Sequence, residues 1–138
     1  MGEIFEIFHA ALAGVDPQLL VRRSLRLQGS RLACGPHSFD LANFPRRIVV
    51  GAGKAAAGMG LAVEALLGGR ISRGLLSLPR GDRGALRLVA TRPAGHPLPD
   101  SGGARAGRGI LAMLRNADER TLALCLLSGG ASAMLAAP

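Results

Sequence analysis

IVVGAGKAAAGMGLAVEALLGG, residues 48–69, changes character twice within one short span. Ile48, Val49 and Val50 form an apolar run that stops at Gly51-Ala52-Gly53. A run without polar alternation suits a strand covered on both faces. Behind the glycines, Met59, Ala62, Val63 and Leu66 recur at helical spacing, and Gly68-Gly69 closes that helix. Strand, glycine turn and helix in succession are the repeating unit of a parallel sheet.

Working outward, the same alternation continues. A second strand is expected over Gly74–Leu78, ended by Pro79 and Gly81, and a third over Leu86–Ala90. Asp100 or Ser101 can cap a helix whose Ala106, Ile110 and Leu114 face inward and whose Arg105, Arg108 and Arg115 face water. The longest apolar run, Leu122–Leu127, reads as a strand buried on both faces and ends at Ser128-Gly129-Gly130. Upstream, Ile4, Phe5, Phe8 and Leu12 predict an amphipathic helix. Asp16-Pro17 opens a second helix, on which Arg22, Arg23 and Arg26 share a solvated face. Residues 29–45 read as connection. The expected fold is α/β, with a mainly parallel, Rossmann-like sheet flanked by helices. No internal repeat or domain linker stands out. Barely one helical turn separates Ser132 from Pro138, so residues 1–138 read as the truncated N-terminal part of a longer α/β domain.

The composition agrees with a packed domain. Hydrophobic residues make up 49% of 138, with four Phe and neither Trp nor Tyr, so the core must be aliphatic. The formal charge of +8 raises nucleic acid or an anionic membrane as partners. Both are set aside: the arginines are scattered with no run longer than a pair, there is no aromatic platform for bases, and no apolar run approaches membrane-spanning length. A positive field also suits a small anionic substrate. Cys34 and Cys125 form no CxxC pair and are expected to be buried thiols in reducing surroundings. The N-terminal segment carries Glu3 and Glu6 and no basic stretch, which does not fit a secretory signal, so a cytoplasmic location is expected.

Three segments carry chemistry. In the first, Gly51 and Gly53 let the backbone approach an anion at a helix N-terminus. The spacing is not that of a Walker A loop, and Ala55 stands where that loop has its magnesium-ligating hydroxyl. The segment does satisfy the loose dinucleotide pattern, with Ala56 last. The acidic residue expected after the second strand is missing, and Arg80 stands nearby, which weakens NAD and leaves NADP open. A tight turn that merely packs a helix on a sheet would look the same. Lys54 favours the functional reading, because it is the sole lysine among 17 basic residues and supplies a compact point charge that an arginine fork does not.

The second segment, Ser128-Gly129-Gly130-Ala131-Ser132, also follows a strand and can turn several backbone N–H groups into one concavity. Turns that follow parallel strands open at the same sheet edge, so the two glycine turns are expected to form a composite phosphate site. The third, Gly95-His96-Pro97-Leu98-Pro99-Asp100, is a loop stiffened by two prolines that holds His96 and Asp100 in fixed relation. It suits substrate positioning or proton handling, with Asp100 also serving as a helix cap. No Cys, His and carboxylate spacing fits a protein metal site.

Together IVVGAGKAA (48–56), GHPLPD (95–100) and LLSGGASAM (126–134), in this order and spacing, resemble the glycerate 2-kinase family, some of whose members are labelled hydroxypyruvate reductases. Asp16-Pro17 with Leu25-Arg26-Leu27 is similar to that family's N-terminal helices. The resemblance spans nearly the whole chain but only the first part of a family member. It implies ATP-dependent phosphorylation of D-glycerate at its 2-hydroxyl with nucleotide-bound Mg2+, in a two-domain protein with its site in the cleft. It implies a catalytic, phosphate-contacting role for Lys54, a phosphate-binding loop containing Ser128, Gly129, Gly130 and Ser132, and a substrate loop containing His96 and Asp100. The family usually has a third glycine where this chain has Ala131; if that position required positive φ, the methyl group would cost ~1–3 kcal/mol. Three readings stand at this point: part of a kinase, an NADP-dependent reductase, and a non-catalytic α/β remnant.

Overall fold

The strand–turn–helix unit forms as expected. In a computed structural model describing residues 2–82 and 84–136, β4 (Arg46–Ala52) runs through Gly53 to Ala55 into α3 (Ala56–Leu67). Around it lie α1 (Gly2–Gly14), α2 (Pro17–Ser24), β1 (Leu25–Gln28), β2 (Arg31–Cys34) and β3 (His37–Asp40) on the N-terminal side. On the C-terminal side are β5 (Arg73–Pro79), β6 (Ala90–Ala94), α4 (Ser101–Leu114), β7 (Thr121–Leu127) and α5 (Ala131–Met134). The main sheet has the order β6-β5-β4-β7, with every pairing parallel.

Alternation along β4 feeds two cores. Val49 packs with Leu76, Leu78 and the Ala62, Val63 and Leu67 stripe of α3. Ile48 and Val50 pack with Leu75 and Ile110 of α4 on the opposite face. This is an α/β sheet with a helix on each side. Asp100 caps α4, and Asp16 caps α2 by accepting the Leu19 amide at 2.8 Å, as the sequence predicts.

Five expectations need correction. Residues 29–45 are not plain connection: β1, β2 and β3 form an antiparallel meander that buries Leu25 and Leu32. Its two-residue turns contain Gly29 and Gly35, at φ 61° and 56°. Arg26 therefore lies on a strand, not on the helix with Arg22 and Arg23. The third strand starts at Ala90, not Leu86, because the amides of Arg87, Leu88 and Val89 donate to the Glu64 carboxylate and are not available to the ladder.

The other two corrections begin at β7. It is an edge strand, with Ala123, Cys125 and Leu127 exposed, and so is not buried on both faces. Beside it runs an apolar groove of about 570 Å³, lined by Leu20, Leu25, Phe39, Leu122 and Leu124. Cys34 and Cys125 also line this groove and are free, exposed thiols, because no element packs over them. Helix α1 buries none of its side chains, leaving Ile4, Phe5, Ile7 and Phe8 in solvent. Among the described residues, no single helix is long and apolar enough to cross a membrane.

Candidate functional site

The ladder between β4 and β7 sets the position of the site. Arg46 pairs with Thr121 and Ala52 with Leu127, so the two strands end level and their glycine turns begin side by side. Three hydrogen bonds fix the junction, and a fourth holds the first turn on β5. Gly53 N–H donates to the Ser77 carbonyl (3.3 Å) and Ser128 N–H to the Ala52 carbonyl (3.1 Å). Lys54 N–H donates to the Gly129 carbonyl and Ala55 N–H to the Ser128 hydroxyl, each at 3.0 Å. The expected meeting of the two turns is thus a direct contact.

Glycine is required here for two different reasons. A Cβ on Gly51 would lie 2.0 Å from the Leu126 carbonyl oxygen, so this residue serves the close approach of two strands. Gly53 has φ 126°, and a Cβ there would meet the Ser128 hydroxyl at 2.2 Å. Gly51 is therefore a packing residue inside β4, whereas Gly53 shapes the turn itself.

The second turn is open. Apart from its chain neighbours, no atom of the described residues lies within 4 Å of the place a Gly129 side chain would occupy. Among the described residues, the amides of Gly129, Gly130 and Ser132 have no hydrogen-bond acceptor. Ala131 is the first residue of α5, and no described non-glycine residue has positive φ, so its methyl group carries no left-handed strain. The buried Ser77 hydroxyl donates to the Met134 carbonyl at 2.7 Å and ties α5 to β5. Ser77 is not among the residues the motifs single out, although one polar residue within the apolar run Leu75–Leu78 is a usable signal.

The third loop reaches the same place. A Cβ on Gly130 would come within 2.8 Å of His96 Cδ2 and 3.0 Å of Nε2, so the imidazole lies against the second turn. Asp100 Oδ1 accepts the Gly103 amide at 2.9 Å, and its other oxygen pairs with Arg80. The amides of Gly95 and Gly103, with the Arg80 guanidinium, hold this carboxyl far below the usual carboxylate range. Asp100 is therefore engaged as a cap and loop tie. Lys54 is exposed beside the turns, with no ion-pair partner among the described residues. No cluster of three His, Cys, Asp or Glu side chains suits a metal ion among those residues.

Fold and site together define a parallel α/β domain with its glycine turns gathered at the carboxyl edge, where such sheets bind ligands. The chain belongs to the family described as Domain of unknown function (DUF4147), whose profile matches residues 3–138. It is 34% identical to a glycerate kinase of Danio rerio, over 96% of this chain and 29% of that protein. A protein of Agrobacterium vitis named as a hydroxypyruvate reductase is 31% identical, over 96% of this chain and 27% of its own length. The solved structure of a Thermotoga maritima glycerate kinase superposes with a TM-score of 0.77 at 29% identity, covering 96% of this chain and 29% of that one. The chain thus spans less than a third of the length of the relatives it matches.

Proposed function

We infer that this chain supplies the N-terminal part of an ATP-dependent kinase that phosphorylates D-glycerate at the 2-hydroxyl. The observation that carries this reading is the junction of the two glycine turns beside the sole lysine, with the amides of Gly129, Gly130 and Ser132 lacking an acceptor among the described residues. Such a cradle suits phosphate oxygens, which accept hydrogen bonds from backbone N–H groups and are neutralised by an ammonium. ATP supplies the phosphoryl group. Gly129, Gly130 and Ser132 would hold phosphate oxygens, while Lys54 balances the charge that develops on the group in transfer. His96, against Gly130, borders the same cradle and would face the glycerate. A magnesium ion would be held mainly through the nucleotide's own phosphates, which needs no protein metal cage. The remaining cleft residues, and the domain that carries them, belong to the rest of a kinase of the relatives' length, and we assign the whole protein to the cytoplasm.

A second reading, NADP-dependent reduction of hydroxypyruvate, draws on the name of the Agrobacterium vitis relative. It needs Arg80 for the 2′-phosphate, and Arg80 is already paired with Asp100. The two readings separate in one assay on a complete protein bearing this region. Glycerate-dependent release of ADP, with no NADPH oxidation on hydroxypyruvate, is expected. NADPH turnover without ATP consumption would overturn the kinase assignment.

A further inference from the structure

We propose that Ser128 is a positioning residue that fastens Lys54 to the 128–132 turn, bringing the ammonium and an anion seated in that turn to one place. This rests on the phosphate-handling reading above. Helix α3 has no side-chain cap of its own, since the residue before it is Ala55. The Ser128 hydroxyl, 73 residues further along the chain, accepts the amide of Ala55, the N-cap residue, which is what a glutamate at the third helical position does in a capping box. The adjacent amide, that of Lys54, crosses to the Gly129 carbonyl. Both amides flanking the lysine's carbonyl are therefore held by the other turn.

Ser128 is itself well placed for this. Its N–H donates to the Ala52 carbonyl, one step past the last pair of the β4–β7 ladder. Its hydroxyl fills the space a side chain at position 53 would need, which sets it against the first turn. With a lone pair given to the Ala55 amide, the hydroxyl hydrogen is left to donate, which suits an oxyanion and not a cation. A displacement of about 1 Å at a charge-stabilising group is enough to cost it most of its effect, so a residue that sets the lysine's backbone bears on the chemistry without supplying the charge.

The single lysine makes the test direct, because its side-chain Cε gives one unambiguous NMR signal. The 138-residue chain is titrated with sodium tripolyphosphate while the Lys54 Cε and the Gly129 and Gly130 amides are followed. Hydrogen exchange at the Ala55 amide is measured without ligand. In the wild type, lysine and glycine signals are expected to follow one binding curve. Ser128→Ala should speed Ala55 exchange by roughly three- to tenfold, the worth of one amide hydrogen bond, and weaken the Lys54 response by a similar factor while the glycine amides still titrate. Ser128→Thr, which keeps the hydroxyl, should restore both. Ser128→Cys, close in size but a poor acceptor, repeats the comparison if the alanine variant does not fold. Wild-type exchange and an unchanged Lys54 curve in the alanine or cysteine variant would overturn the proposal. If tripolyphosphate moves neither signal in the wild type, the phosphate reading and the positioning role fall together, and faster Ala55 exchange then marks only a structural bond.

Discussion

Lys54, beside the glycine turns, and Asp100, on the loop whose His96 touches the second of them, are both charged, yet their surroundings give them different work. Lys54 is exposed with no ion-pair partner among the described residues, so its charge is available. In a complete kinase, Lys54→Ala should lower kcat by about 10²–10³, the usual cost of losing one transition-state donor, with little change in Tm. Lys54→Arg should rescue poorly, since a planar fork does not occupy the same point; steady-state kinetics on both variants decide this. Asp100 is the opposite case. Its carboxyl is depressed by the Gly95 and Gly103 amides and by Arg80, so it stabilises the fold at any pH above its unfolded value of 3.8. That contribution is lost as the pH falls from there through the folded value. The Tm gap between wild type and Asp100→Asn should therefore be constant from pH 5 to 7 and shrink below about pH 4. A gap that persists on acidification would show that the charge is not what Asp100 contributes.

At the level of elements, Glu64 on α3 is the most consequential side chain outside the site. Its carboxylate accepts the amides of Arg87, Leu88 and Val89 at distances from 2.7 to 3.1 Å and ends the irregular segment just before β6. Hydrogen bonds to a charged acceptor contribute about 1.5–3 kcal/mol, so Glu64→Ala should lower unfolding free energy by that order in urea titrations. Glu64→Gln should lose less. The same residue explains why the third strand was displaced in the sequence reading: apolar periodicity marks Leu86–Ala90 as a strand, but the long-range carboxylate takes its amides. The meander of β1 to β3 was illegible for another reason, because four-residue strands give too few alternations to register against Gly29 and Gly35. What the sequence did reveal were the long elements and both glycine turns, whose signals are local. Contacts such as Ser128 to Ala55, and Ser77 to Met134, join distant segments and leave no periodic trace.

Across the whole molecule, the exposed apolar surface is unevenly distributed. Among the described residues, nothing covers the outer edge of β7, the groove beside it or the α1 helix, while the β4–β5 centre is fully buried. Open strand edges and large apolar patches drive association. The purified 138-residue chain should therefore elute ahead of a monomer in size-exclusion chromatography. A monomeric elution volume at micromolar concentration would contradict this.

The level ending of β4 and β7 also dictates when in folding the cradle comes into being. β4, α3 and β5 are consecutive and can assemble through short-range contacts, but β7 joins β4 only by closing a loop of about seventy residues, an entropic cost met late in assembly. An anion that needs both turns finds no partial site on the half-assembled chain. Pyrophosphate should accordingly slow unfolding while leaving the refolding rate almost untouched, the kinetic mark of an interaction absent from the transition state.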